Sequence, residues 1–237
     1  MNTPKADDHV TVLKGCPVFA GVSQQWLNKL AANCVFATHE PGELVVSHQD
    51  RTDDVFVMLS GVARVIIYSA GGRAVNFGRI RRDQVFGEFA AIDGFARSAA
   101  VEAVERCQTF RMTPACLWEL IDAEPAFRRW MLRHLAGVAR TLTARIFEFS
   151  TLPVGSRVQA ELLRLVRQAG NGSGEAAGVL ILPTHAEIAE RISTHREAVA
   201  RELSRLSGMG VIERRGKALL VKDVGRLEQM IRDANSE

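Results

Sequence analysis

Short apolar runs punctuated by Gly, Pro and Asp fill the first half of the sequence. One unbroken helical stretch follows, and two helix-start signals lie ten residues apart near the end. These three features predict an α+β protein, with a β-rich N-terminal part, a long joining helix and a small helical C-terminal part. At 237 residues the chain suits one to two domains, expected to divide as 1–125, 126–152 and 153–237. Apolar residues make up 47% and charged residues 24%, which excludes a disordered, collagen-like or disulfide-scaffold chain. No apolar run approaches the roughly 20 residues of a membrane span, so no membrane contact is expected. Asp7, Asp8 and His9 stand at the N-terminus with no apolar stretch behind them, so no secretory signal is expected. Cys16, Cys34, Cys107 and Cys116 are widely spaced, without C-x-x-C or a metal-ligand rhythm. They are expected to be reduced, mostly buried thiols of a cytoplasmic protein that holds no metal.

Element by element, 23–33 reads as a short helix, with Ser23 as cap and Trp26, Leu27 and Leu30 on one face. Across 35–110 the spacing predicts several short strands in a sandwich or β-roll rather than a parallel sheet. Val55-Phe56-Val57-Met58-Leu59 and Val62-Ala63-Arg64-Val65-Ile66-Ile67 bracket Ser60-Gly61, which suits a tight hairpin turn. Gly71-Gly72 marks a second turn, and Pro41-Gly42 opens the region.

The stretch 86–101, Phe86-Gly87-Glu88-Phe89-Ala90-Ala91-Ile92-Asp93-Gly94-Phe95-Ala96-Arg97-Ser98-Ala99-Ala100-Val101, carries the densest chemistry. A glycine lets backbone approach a ligand. A carboxylate, a helical turn, and an arginine beside a hydroxyl follow. Helix N-terminal amides bind anions, and Arg adds a fork suited to phosphate. Glu88 would repel phosphate and makes better sense as an acceptor for a sugar hydroxyl. Spacing alone equally allows a β-turn with a surface Glu–Arg ion pair.

Phe86-Gly87-Glu88, the nine-residue step from Glu88 to Arg97, and Arg97-Ser98-Ala99 resemble the phosphate-binding cassette of cyclic-nucleotide-binding domains. Pro41-Gly42-Glu43 and Leu59-Ser60-Gly61 resemble the glycine-marked turns of the same β-roll. The resemblance implies cyclic AMP (cAMP) or cyclic GMP (cGMP) as allosteric ligand. Glu88 would meet the ribose 2′-hydroxyl; Arg97 and Ser98 would meet the cyclic phosphate, with backbone amides near Gly87 and Phe89. The chain departs from the family at Ala96, where many members have Pro, and at 81–84, where a Gly-containing turn is common.

Over 126–149 there is no Pro and a single Gly, Gly137. Leu132, Leu135, Ala139, Leu142, Ile146 and Phe149 follow the a/d rhythm of a two-stranded coiled coil, a pattern that also fits a helix buried on its own domain. A preceding helix over 114–122 leads into it through Glu124-Pro125. In the cyclic AMP receptor protein family, which the chain resembles, this helix forms a homodimer interface and closes over the purine. The resemblance makes Thr143 a candidate purine contact. Its neighbour Leu142 can form no hydrogen bond, which leaves cGMP or dual binding open beside cAMP.

In the last third, 157–169 has a helical apolar face, Gly170-Asn171-Gly172-Ser173-Gly174 is a loop, and Val179-Leu180-Ile181-Leu182 reads as a strand. Thr184-His185-Ala186-Glu187 and Thr194-His195-Arg196-Glu197 are capping boxes that each start a helix, a spacing suited to helix-turn-helix. Val211-Ile212-Glu213 and Ala218-Leu219-Leu220-Val221 then form a wing with Arg214-Arg215-Gly216-Lys217 at its tip. Arg196, Glu197 and Arg201 on the second helix have the chemistry to read G·C pairs in double-stranded DNA. A cap at Glu197, or an i,i+4 ion pair from it to Arg201, is the plainer alternative. The segment 195–201 resembles the recognition helix of the cyclic AMP receptor protein family, which implies a TGTGA-like half-site. Thr184, His195, Arg214, Arg215 and Lys217 are candidate phosphate contacts.

The family order from β-roll to winged helix-turn-helix identifies the chain as resembling CRP/FNR superfamily regulators, with RNA polymerase as an implied partner. The competing expectations are a same-fold regulator sensing haem, redox state or no ligand, and a nucleotide-binding regulatory subunit without specific DNA binding. No nucleophile–base constellation or Walker loop points to an enzyme. The net charge of +3 is uneven: residues 191–217 hold seven basic and three acidic side chains, a net +4 against −1 elsewhere.

Overall fold

The computed structural model describes residues 6–68, 74–168, 178–181, 183–216 and 218–234. The chain forms two compact units, residues 1–138 and 139–237. Among the described residues no helix is long and apolar enough to cross a membrane.

The first unit opens with α1 (Ala6–Lys14), a 3-10 turn at Pro17–Phe19, and α2 (Gln24–Asn33). Ser23 caps α2 as its position predicts, its hydroxyl accepting from the Trp26 amide at 3.4 Å. Eight strands follow: β1 (Val35–His39), β2 (Leu44–Val46), β3 (Val55–Ser60), β4 (Ala63–Tyr68), β5 (Ala74–Ile80), β6 (Val85–Phe86), β7 (Ala100–Ala103) and β8 (Cys107–Met112). They make two four-stranded antiparallel sheets, ordered β1-β8-β3-β6 and β2-β7-β4-β5. β3 is buried on both faces. Val55 and Val57 join a core with Leu13, Leu30, Leu117 and Phe127, whereas Phe56 and Met58 join one with Val46, Ile80 and Val101. A strand buried on both sides reads as a continuous apolar run, which is why it shows no alternation.

The hairpin expected at Ser60-Gly61 does not form. β3 and β4 lie in different sheets, so the turn is a corner between sheets rather than a paired ribbon. Gly61 takes φ +85° there, and a Cβ on it would stand 2.5 Å from the Arg106 carbonyl oxygen and 2.8 Å from Cys107 Cα. The glycine signal was genuine; close packing, rather than strand pairing, demands it. The turn expected at Gly71-Gly72 lies outside the described residues, although Tyr68 and Ala74 pair across it.

Between the strands sits α3 (Glu88–Asp93), and after them α4 (Pro114–Ala123) and α5 (Pro125–Thr151). Thr113 caps α4 by accepting from the Cys116 amide, and Glu124 ends it directly before Pro125.

The second unit holds α6 (Val154–Gln168), β9 (Gly178–Ile181), α7 (His185–Arg191), α8 (Arg196–Gly208), β10 (Ile212–Arg215), β11 (Ala218–Val221) and α9 (Val224–Ala234). Its three strands run β10-β11-β9, so β9 extends the expected two-stranded wing. The Gly170–Gly174 loop, Leu182 and Lys217 lie outside the described residues. Val158, Leu162, Ile188, Val199, Leu206 and Leu227 are fully buried in one core.

The two capping boxes behave differently. At Thr184 both halves form: its hydroxyl accepts from the Glu187 amide and Glu187 accepts from the Thr184 amide. At Thr194 the box is absent. His195 is the cap residue and makes no side-chain cap bond, and Glu197 instead accepts from Arg196 Nε at 2.8 Å. The helix starts one residue later than the motif implies, after the left-handed Ser193 at φ +51° has turned the chain.

Candidate ligand cassette and nucleic-acid interface

Gly87 ends β6 and starts α3 in a left-handed conformation, φ +80° and ψ 0°. A Cβ there would lie 2.8 Å from both Arg97 Nη1 and the Asp54 carbonyl oxygen. The glycine is therefore what lets Arg97 reach the cassette backbone. Arg97 is 3% exposed and donates from Nε to Thr52 Oγ1 (3.1 Å), from Nη1 to Gly87 O (2.8 Å) and from Nη2 to Asp54 O (2.9 Å). Its own backbone exchanges bonds with the 49–50 segment, Arg97 N to Asp50 O and Gln49 N to Arg97 O. Burial pulls the guanidinium below its ordinary value, and the carboxylates of Asp54, Asp53, Asp50 and Glu88 oppose that pull. The group stays a cation. Among the described residues three of its five N–H donors are engaged, so two remain for an anionic ligand.

Glu88 is buried at 6% exposure, and Phe89 is half-buried beside it. Oε1 of Glu88 lies 3.1 Å from His134 Nε2, on α5 within the same unit. The His134 ring stacks on Trp130 at 5.3 Å, which fixes its direction. Ser98 is exposed at the end of the cassette, next to the buried arginine. The surface Glu88–Arg97 ion pair is not what forms: both groups are buried, and each has a different partner. Gly87, Glu88, Phe89, Arg97 and Ser98 thus come together. Thr143 belongs to the second unit, exposed, with its hydroxyl donating to Ala139 O at 3.0 Å. Thr52, Asp54 and His134 carry no motif; a buried arginine demands carbonyl and hydroxyl partners, but nothing in the sequence says which.

Along α5 the predicted stripe is mostly uncovered. Leu132 is 63% exposed and Ile146 67%, while Leu142 and Phe149 are each 39% exposed and Ala139 is also exposed. Leu135 differs: it is half-buried and packs against the first unit's own core.

In the second unit, Arg196, Glu197 and Arg201 are exposed on the first turns of α8, over the fully buried Val199. Glu197 pairs with Arg196 rather than with Arg201, which holds its carboxyl below the usual range. His195 and Thr184 are exposed at the helix starts, with the Thr184 hydroxyl committed to its capping box. Arg214 and Arg215 are exposed on β10, where Arg215 pairs with Glu213 at 2.9 Å. The basic cluster is less available than its net charge suggests. Arg191 is only 6% exposed and binds buried Glu161 at 2.8 Å, and Arg205 is held by Glu202 at 2.7 Å.

Those internal pairs serve another purpose. α6 grips the helix-turn-helix at three points: Glu161 on α7 through Arg191, Gln159 on α8 through Glu202 (2.7 Å), and Arg157 on the turn through the Ile192 carbonyl (2.9 Å). Arg164 links Glu161 to Glu148 on α5, donating to both Glu148 oxygens at 2.8 Å. The recognition helix is thus held by charge-assisted bonds as well as by its apolar face.

Residues 37–124 match the family model for the cyclic nucleotide-binding domain, and residues 156–230 match that for the Crp-like helix-turn-helix domain. A CRP-like cAMP-activated global transcriptional regulator of Mycobacterium tuberculosis is 24% identical over 221 residues, covering 93% of this chain and 99% of the relative. The cAMP-activated global transcriptional regulator Vfr of Pseudomonas aeruginosa is 26% identical over 199 residues, covering 82% of this chain and 92% of the relative. The solved structure of FixK2 from Bradyrhizobium japonicum shares the fold, with a TM-score of 0.71 and 18% identity over 83% of this chain and 96% of that one. With both domains in this order, and relatives matched over nearly their whole length, the chain belongs to the CRP/FNR superfamily of transcription regulators.

Proposed function

We propose that the chain is a homodimeric regulator whose binding to a palindromic, TGTGA-like DNA site is gated by a cyclic nucleotide, cAMP or cGMP. In this scheme 1–125 senses the ligand, 126–152 joins two copies, and 153–237 reads DNA. The observation that carries it is the burial of Glu88 and Arg97 together around Gly87, where no side chain fits. Glu88, whose Oε1 faces His134, accepts from the ribose 2′-hydroxyl with its remaining acceptor capacity. Arg97 directs its two remaining donors at the cyclic phosphate, with Ser98 beside it. Thr143 spends its proton on Ala139, so toward a purine it offers an acceptor. An acceptor suits the amino group of adenine or of guanine equally, and Leu142 adds no hydrogen bond to separate them. The cAMP-activated relatives support a cyclic nucleotide in general.

The uncovered stripe of Leu132, Ala139, Leu142, Ile146 and Phe149 supports pairing of two α5 helices. Two recognition helices then engage major grooves about 34–36 Å apart, with Arg196, Glu197 and Arg201 at base edges. His195, Arg214, Arg215 and Lys217 supply phosphate contacts, and RNA polymerase is the partner on which such a dimer would act. One observation favours a second reading, a same-fold regulator that answers to no nucleotide: three of the five Arg97 N–H donors are already engaged by its own chain.

Calorimetric titration separates the two. Saturable heat is expected with cAMP, cGMP or both, and Arg97→Lys, which keeps the charge but loses the fork, should weaken binding at least about tenfold. Thermal melts establish that the variant is folded. No heat with either nucleotide, or equal affinity in the folded variant, would overturn the assignment.

A further inference from the structure

Cys34 and Cys116 are 82 positions apart in sequence, yet their sulfur atoms lie 3.8 Å apart. We propose that these two thiols form a peroxide-responsive modification site, which closes reversibly to a disulfide between α2 and α4.

The fold builds this proximity from both sides. Cys34 is the residue that ends α2, and Cys116 lies in the first turn of α4, its amide bonded to the Thr113 cap. The same two helices are tied alongside by Lys29 and Glu119, whose ion pair measures 2.6 Å. The sulfurs are thus already in van der Waals contact, and approach to the bonding distance of about 2.05 Å begins from packed neighbours rather than from separate parts of the chain. Both cysteines are half-buried, so a small oxidant can reach them. The other two thiols are sealed away: Cys16 is 3% exposed and Cys107 0%, and the Cys107 thiol donates to Glu105 O.

The chemistry assigns different roles to the pair. The contact with Cys34 sulfur holds the Cys116 thiol below its ordinary value, with burial and the Glu119 carboxylate opposing and Lys29 assisting. The same contact and burial raise Cys34. At Cys16 burial pushes the thiol up to about 12, which keeps it protonated and inert. Cys116 also lies in the first turn of α4, where the free amides of a helix N-terminus favour a thiolate, whereas Cys34 lies at the C-terminal end of α2, so Cys116 is the nucleophile. Its thiolate attacks one peroxide oxygen and the O–O bond breaks. Hydroxide leaves, takes up a proton, and Cys116 becomes a sulfenic acid. Cys34 sulfur then attacks Cys116 sulfur and the S–O bond breaks; the departing hydroxide takes the proton that Cys34 carried. Two thiols and one hydrogen peroxide give one disulfide and two waters, and a dithiol reductant reverses the change.

The test uses the full chain, treated with hydrogen peroxide, blocked with maleimide, digested without reductant and read by mass spectrometry. A Cys34–Cys116 linked peptide, two hydrogens lighter than its parts, is expected. Thiols titratable after unfolding fall from four to two, and dithiothreitol restores them. C34S should carry Cys116 on to sulfinic acid without a link, whereas in C116S Cys34 should remain a thiol. Circular dichroism checks that both variants are folded. Wild-type protein that over-oxidises at Cys116 without linking, links through Cys16, Cys107 or a second copy, or keeps all four thiols would overturn the proposal.

Discussion

Arg97, Glu161 and Glu202 are buried charges, and each is answered by named partners rather than left alone. At Glu202 burial pushes the carboxyl up, but the bonds from Arg205 and Gln159 outweigh it and hold the group below its usual value. A depressed carboxyl stabilises the fold above the unfolded value of about 4.3, and that contribution is lost as pH falls toward the folded value. Urea midpoints between about pH 6 and pH 3 should therefore fall more for wild type than for Glu202→Gln; equal acid sensitivity would contradict the assignment. Arg196 makes a different kind of prediction, because it is exposed and, among the described residues, pairs with the adjacent Glu197 at 2.8 Å. Arg196→Ala should cost roughly 1–3 kcal/mol at one guanine of the half-site and little elsewhere. A uniform loss over all sequences, measured by competition among site variants, would make it a phosphate contact instead.

At the scale of elements, two threonines in identical motifs have unequal roles. Thr184→Ala removes a complete capping box and should cost about 1 kcal/mol of stability, while Thr194→Ala, which removes none, should stay within about 0.5 kcal/mol. Denaturant melts of both variants decide it, and equal costs would contradict the difference. The contrast shows how far local sequence reaches. Residue spacing located both helices, but one box closes and the other does not, and Ser193 takes a left-handed φ of +51° just before the one that stays open. The corner at Gly61 teaches the same lesson, since the residue announced a turn but not which sheets it joins. The α5 stripe is legible because a heptad rhythm needs no tertiary information, apart from Leu135, which its own domain claims. Ile146→Glu places a charge at the most exposed large apolar position of that stripe and should convert a dimer to monomer by sedimentation. An unchanged dimer would move the interface elsewhere.

Across the whole molecule, the order of sensor, helix and reader could be followed in sequence because each part carries its own motif. The groups that complete the sites could not. Thr52 and Asp54 hold Arg97, His134 faces Glu88, and Glu161 and Gln159 steady the reading helix, all through contacts distant in sequence. Net charge misled for the same reason: Arg191 counts toward a basic patch in sequence but is spent on a buried carboxylate in the fold. Gating requires that ligand favour the DNA-competent state, and the coupling must be reciprocal. The most direct test is fluorescence anisotropy of a labelled palindromic duplex titrated with the protein, without nucleotide and with saturating cAMP or cGMP. One or both nucleotides should tighten sequence-specific binding by about 5–150-fold, and duplex should tighten nucleotide binding by the same factor. Identical affinities with and without nucleotide would contradict gating.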